Sequence, residues 1–291
     1  MLPVYSYELM DAQIMLRIDS LIKEIKELGD VFYVPVDFYS TKDIHQVDFS
    51  DLVEMCYSEH HDEMSMFIDL IYQSKQDNIT YDDLLNMARQ QNDYQEAYTG
   101  FIKDQVDEES AKYCYIATDR KSLRSLYRCI AEKFSEYEHL YLWRKRCFPE
   151  LLFTADAFDN SSKIGSYRNN YNEIQKCLSV LNDEGSMLYP NSNEEEVLKI
   201  MQSKCGVNCS GKGAKESSTF KKKIKMKVNE YKDFQFEISC IPHFKLDTIY
   251  SNKRLYFSWG RNEIDNHKII VVHIGEHWSS VNEKESVVEL E

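Results

Sequence analysis

The fold turns on RLYFSWGRNEIDNHKIIVVHIGEHW, residues 254–278. Two apolar runs, 254–259 and 268–274, flank a polar stretch and have the composition of strands. Together they read as an antiparallel hairpin. Strand alternation puts Arg254, Tyr256 and Ser258 on one face and Leu255, Phe257 and Trp259 on the other. In the second run, Ile269, Val271 and His273 share a face, opposite Lys268, Ile270 and Val272. If Leu255, Phe257 and Trp259 are core, the face of Arg254 and Tyr256 is free for chemistry. His277 follows Gly275 on a turn and can swing to either side.

Upstream of the hairpin, 220–228 and 234–240 also read as strands, joined by polar stretches of hairpin length. Before them, KCGVNCSGKGAKESS (204–218) reads as a linker or exposed loop. The character of the chain is different again before residue 204. Leu9, Ile14, Met15, Ile18, Leu21, Ile22, Ile25 and Leu28 recur at a helical period, and Gly29 fits a helix C-cap. Further helices are expected near 48–56, 62–74, from Thr80, over 91–106, 167–183 and 193–203. One long helix is expected from Asp119 or Ser122 towards Pro149, with Leu123, Leu126, Ile130, Phe134, Tyr137 and Leu140 as its buried stripe. The segments 31–40, limited by Pro35, and 150–159 read as extended or irregular connections. The expected class is α+β: a predominantly helical domain over 1–205, then a small antiparallel sheet domain over 206–291.

Composition agrees with that division. The 291 residues hold only 9 Gly and 5 Pro, which argues for helices over an all-β chain. Residues 1–200 carry 20 Lys+Arg against 37 Asp+Glu, a net of −17; residues 201–291 carry 15 against 12, a net of +3. The acidic part would repel nucleic acid and suits a basic protein partner, whereas the C-terminal part has the charge to meet a phosphate backbone. No run reaches the ~18 apolar residues of a membrane helix. The first residues lack a secretory pattern, and the 8 scattered Cys read as reduced thiols of a cytoplasmic protein.

Four groups of residues carry possible chemistry. In FKKKIKMKVNEYK (220–232), Lys221, Lys223, Lys225 and Lys227 alternate with Phe220, Ile224, Met226 and Val228, with Lys222 as the exception. Such a lysine stripe either tracks phosphates or guards a solvated edge strand. Cys205 and Cys209 with Cys240 and His243 make two pairs of soft ligands, but the pairs are far apart and the first is loosely spaced. Free thiols are the expectation, and neither metal nor cofactor is assigned. Arg261-Asn262-x4-His267 resembles the pattern of HEPN-type ribonucleases, yet it lies between strands where no helix fits, and it is taken as a chance match. The fourth group is His243, Lys245, Arg254, Tyr256, His273 and His277, all within 35 residues. Histidines near neutrality can move the protons of RNA cleavage, and Arg and Lys can hold the phosphate.

The order RLYFSW, polar connection, KIIVVHIGEH resembles the closing strands of RelE/ParE-type toxins of toxin–antitoxin systems. Arg254, Tyr256, Phe257, Lys268, 269–272 and Gly275-x-His277 carry the likeness, which spans roughly 240–278. The resemblance implies a small sheet with helices on one face and an mRNA-cleaving activity that uses Arg, Lys and Tyr or His. The expected function is therefore an RNA-binding or RNA-cleaving effector of a bacterial toxin–antitoxin or anti-phage system. His243, Lys245, Arg254, Tyr256 and His277 would be its catalytic set, and an acidic helical part would restrain it or bind a partner. The alternative is a non-enzymatic subunit of a defence or regulatory complex.

Overall fold

The computed structural model describes residues 2–4, 12–30, 101–103, 116–117, 119–189, 192–211, 221–229, 232–247, 251–260, 267–277 and 288–289, with six isolated positions between 62 and 86. The chain divides into two units, Met1–Lys133 and Phe134–Glu291. Helices and mixed sheets make it an α+β protein. Among the described residues no helix is long and apolar enough to cross a membrane.

In the first unit, β1 (Leu2–Val4), β2 (Phe101–Lys103) and β3 (Ile116–Ala117) form a parallel sheet in the order β1-β2-β3. Of the helix expected over 91–106, only 101–103 lie among the described residues, and they form a strand. Three residues are too few to show a period, so nothing in FIK separates strand from helix. Helix α1 (Ala12–Glu27) buries Leu21, Ile22 and Ile25 and stops at Gly29, whose φ of 75° suits glycine; the Asp30 N–H reaches back to the Ile25 carbonyl at 3.0 Å. Helix α2 (Arg120–Ala131) opens on a capping box: the Ser122 N–H donates to Asp119 Oδ1 at 2.7 Å, and the Asp119 N–H donates to Ser122 Oγ at 2.8 Å. Thr80 and Asp83 make the same reciprocal pair, as expected of a helix starting at Thr80. The helices expected near 48–56 and 62–74 and the extended stretch 31–40 lie outside the described residues, apart from helical positions at Asp62, Ser65 and Asp69.

The single long helix expected from Asp119 towards Pro149 is two helices. After α2 the chain bends, and α3 (Tyr137–Cys147) begins the second unit. Leu123, Leu126, Ile130, Phe134, Tyr137 and Leu140 are all buried, but the stripe serves two units. Its spacing runs across the break, and 132–136 holds no Gly or Pro to mark it. Phe134 packs edge-on against His139 and Trp143 of α3, at 5.8 and 5.2 Å between ring centroids.

The second unit is built on a five-stranded sheet of order β4-β10-β9-β8-β5. Its strands are β4 (Leu151–Phe153), β5 (Asn208–Ser210), β8 (His243–Lys245), β9 (Lys253–Ser258) and β10 (Ile269–Glu276). β4 runs parallel to β10 and the other pairs are antiparallel, so the sheet is mixed rather than antiparallel. The connection expected at 150–159 thus supplies a strand. The boundary expected at 205/206 falls inside this unit. Helix α5 (Glu194–Cys205) starts at the Asn193 cap, ends at left-handed Gly206, and leads straight into β5. Helix α4 (Tyr167–Val180) precedes it and continues through a π turn, Leu181–Gly185, to Leu188.

A second sheet, β11-β6-β7, comprises β6 (Lys221–Asn229), β7 (Lys232–Ser239) and β11 (Val288–Glu289). β11 pairs parallel with β6, so β6 is central and not an edge strand. Ile224 and Ile238 of this sheet close with Cys240 on Ile270 and Val272 of β10. On the other face of β10 the π turn comes so close that a Cβ at Gly185 would sit 2.3 Å from Ile269 Cδ1. β10 is therefore covered on both faces, which is why IIVV is continuously apolar rather than alternating.

One irregularity governs the register. Val271 pairs with Phe257 but His273 pairs with Tyr256, so Val272 is an extra residue, a β-bulge. A bulge takes a carbonyl out of the ladder, and that carbonyl needs another donor. Thr154 Oγ1 donates to the Val272 carbonyl at 3.1 Å, and Lys222 Nζ lies 3.5 Å from it. Lys222 is 9% exposed and bonds both Asp156 oxygens at 2.5 and 2.6 Å, while Thr154 Oγ1 also contacts Asp156 at 2.8 Å. Lys222 breaks the lysine alternation because its charge is needed inside.

Replacing Lys222 by Ala leaves Asp156 and the bulge carbonyl short of a donor and should cost about 3 kcal/mol of stability in urea unfolding. Adding Asp156→Ala should cost less than the sum of the two single losses, with a coupling above about 1 kcal/mol; simple additivity would disprove the pairing. Gly260→Ala should unfold the hairpin neck, because a Cβ there would lie 1.7 Å from the His267 carbonyl oxygen. A thermal midpoint equal to that of the parent would refute this.

Candidate functional site

The bulge sets a row of three side chains across the sheet. His243 on β8 faces Tyr256 on β9, which faces His273 on β10. Directly opposed residues share a face, so His273 lies with Tyr256 and not on the opposite face that unbroken alternation assigned. Ring centroids are 5.0 Å apart for His243–Tyr256 and 6.0 Å for Tyr256–His273. His277, just past β10, brings its ring to 6.3 Å from Tyr256, and its backbone N–H donates to the Asn252 carbonyl at 2.6 Å. Arg254 lies one step along, opposite Lys245 on β8 and Gly275 on β10. Gly275 is required there: a Cβ would stand 2.7 Å from His273 Nε2 and 2.8 Å from Asn160 Cβ.

The expected set His243, Lys245, Arg254, Tyr256 and His277 is thus gathered, and His273 joins it. The free face expected for Arg254 and Tyr256 is not found. Tyr256 is 1% exposed, His273 5%, His243 7% and Arg254 8%, whereas Lys245 and His277 are half-buried. A strand in the middle of a sheet covered on both faces has no solvent side. The Arg254 guanidinium donates through Nη1 to the Ser251 and Lys253 carbonyls at 2.6 and 2.8 Å.

Hydrogen bonds fix the two buried imidazoles. A carbonyl only accepts, so His243 Nδ1, 2.9 Å from the Ile241 carbonyl, carries the proton. Its Nε2 then accepts from Ser210 Oγ at 3.3 Å. Ser210, on β5, was not singled out in the sequence; only the pairing of β5 with β8 reveals it. By the same logic His273 Nε2 donates to the Glu276 carbonyl at 3.0 Å. Burial holds His243 far below the ordinary histidine range, at about 4, and the nearby charges of Arg254 and Lys245 push the same way against the Ile241 hydrogen bond. His243 is therefore neutral at physiological pH, a weak base already engaged by a serine hydroxyl.

Over residues 221–225 the lysine stripe keeps its alternation. Lys221 and Lys223 are exposed, Lys225 is half-buried, and Lys227 lies on the same strand. Acid lies beside it: Lys223 is opposite Glu237 in the register, and Lys221 pairs with Glu237 at 2.7 Å. The two pairs of soft ligands, Cys205 with Cys209 and Cys240 with His243, form no metal-binding group, and no group of three or more His, Cys, Asp or Glu among the described residues could hold a metal ion. Cys240 belongs to the core between the sheets, where burial raises its thiol to about 12. Cys205 neighbours Cys177, whose hydrogen bond brings it down to about 7, while burial pushes Cys209 up. Of the HEPN-like pattern, Arg261 and Asn262 lie outside the described residues, and His267 sits beside β10 with a φ of 54°.

No family model, curated protein or solved structure matches this chain.

The His243 geometry predicts a pH effect with a definite sign. Its folded value of about 4 lies below the free value of 6.5. Between those values the unfolded chain takes up a proton that the folded chain refuses. Stability should therefore be full above pH ~6.5 and fall by on the order of 3 kcal/mol towards pH ~4. His243→Gln should lose this part of the slope in denaturant titrations from neutral pH downwards. An unchanged slope would show that His243 is not the group responsible.

Proposed function

We propose that the Phe134–Glu291 unit is an RNA-directed effector of the RelE/ParE kind, acting in the cytoplasm as part of a bacterial toxin–antitoxin or anti-phage system. The observation that carries this reading is the convergence of His243, Tyr256, His273 and His277 beside Lys245 and Arg254 on three adjacent strands. RNA cleavage without a metal needs a base for the 2′-hydroxyl, an acid for the leaving 5′-oxygen and cations for the phosphorane. His277, half-buried just past β10, is the base; Tyr256, buried beside it, is the acid; Lys245 and Arg254 are the cations. His243, neutral and bonded to Ser210, positions Tyr256 rather than moving a proton itself.

The alternative reading is a non-enzymatic partner subunit. It is favoured by the burial of the row and by the engagement of Arg254 Nη1 with two backbone carbonyls. In that case the acidic residues of the first unit would meet a basic protein.

The test uses the full chain, because β4 and the helices of the second unit precede residue 206. Purified protein is incubated with messenger RNA in EDTA, and the parent is compared with His277→Ala and Tyr256→Phe. The reading expects cleavage leaving a 2′,3′-cyclic phosphate, slowed about 100-fold or more by His277→Ala. Expression of the parent, but not of the variant, should arrest bacterial growth. Intact RNA and unaffected growth with the parent would remove the effector reading in favour of the subunit.

A further inference from the structure

Past the row, at the Ser258 end of β9, the second unit has a cavity of about 280 Å³. One wall is aromatic. Tyr189 and Trp259 stack in parallel at 4.3 Å between centroids with 1° between planes. The stack is held from the side, since Trp259 Nε1 donates to Glu194 Oε1 at 3.0 Å and Phe257 meets the indole edge-on at 5.1 Å. Glu194, in the first turn of α5, brings the carboxylate that holds the indole N–H, and Glu237 and Ser239 on β7 and Ser258 on β9 are also among the lining residues. Ile238, Ile241 and Pro242 supply the apolar remainder.

Each group favours the same kind of ligand. A carboxylate accepts up to about four hydrogen bonds, and the single indole N–H on Glu194 leaves capacity for more. Glu237 has a cation in Lys221 at 2.7 Å, but both side chains of that pair are about half exposed, at 47% and 56%, so exchanging it for another cation costs little. Aromatic rings attract a cation placed over them. A planar guanidinium can lie on the aromatic wall and donate in parallel to a carboxylate. An anionic or phosphorylated ligand would meet two acidic lining residues.

We propose that this cavity is a binding site for a guanidinium group, held by the Tyr189–Trp259 stack and by the carboxylates of Glu194 and Glu237. The site stands independently of any chemistry at the neighbouring row.

The test is calorimetric titration of the full chain with agmatine and with the peptide Gly-Arg-Gly, which separates a free small molecule from an arginine side chain as the source. Citrulline amide serves as the uncharged isostere and cytidine as the nucleobase control. The expected result is saturable binding of agmatine or the peptide with a dissociation constant on the order of 1 mM or tighter. Glu194→Gln, which keeps an acceptor for the indole, should weaken binding about tenfold. Glu237→Gln, on an exposed strand position, is a second variant that does not touch the stack and should weaken binding in the same direction. Circular dichroism of both variants controls for folding. Equal binding of citrulline amide, binding of cytidine in place of the cations, or no saturable binding of either cation would each overturn the proposal.

Discussion

The extra residue in β10 is the constraint on which the rest of the second unit depends. Without the bulge at Val272, His273 would share the face of Ile269 and Val271, and the row on Tyr256 would lose a member. The bulge persists because its displaced carbonyl has partners. Thr154 donates to it, and Lys222, bound to both oxygens of Asp156, lies against it. Those residues come from the turn after β4 and from the second sheet. The ion pair is thus at once a pin between two sheets and the support that aims a histidine. An interior charge is costly unless its partners are in place, and here each partner has a structural reason to be where it is.

Much of the architecture was legible where the signal is periodic or chemical. The helix end at Gly29, the helix starts at Thr80, at Asp119 or Ser122 and at Asn193, and four of the strands were visible in residue type or period. The elements that escaped were short or ambiguous. FIK at 101–103, LLF at 151–153 and NCS at 208–210 have too few residues to display a period. The break between α2 and α3 falls inside an unbroken apolar stripe. The site was legible as a set of residues close in sequence, because a hairpin and its preceding strand bring them together. Its burial was not, since alternation assumes that one face of a sheet is wet. The face of His273 and the role of Ser210 were hidden for the same reason: both depend on which strand lies beside which.

Placing the unit boundary at 133 rather than 205 redistributes the charge. Residues 1–133 carry 13 Lys+Arg against 26 Asp+Glu, a net of −13, and residues 134–291 carry 22 against 23, a net of −1. The basic character read into the C-terminal part was offset by the acidic helices that belong with it. Long-range attraction to a polyanion is therefore weak for the second unit, and any recognition there depends on local groups. The acid beside the lysines of β6 acts in the same direction.

The position of β10 in the chain also sets an order of events during synthesis. β4, β5, β8 and β9 are all made before it, yet β10 lies between β4 and β9 in the sheet. Until residues 269–276 leave the ribosome, β4 has no neighbour, β9 has an open edge, and the apolar face of the β6–β7 hairpin lacks the Ile270 and Val272 it closes on. Pairing at so great a separation is slow, and a nascent chain stalled short of it exposes strand edges and apolar surface. A ribosome that stops early therefore releases a chain that chaperones and proteases will recognise, and the second unit acquires its row of histidines only in its last steps of assembly.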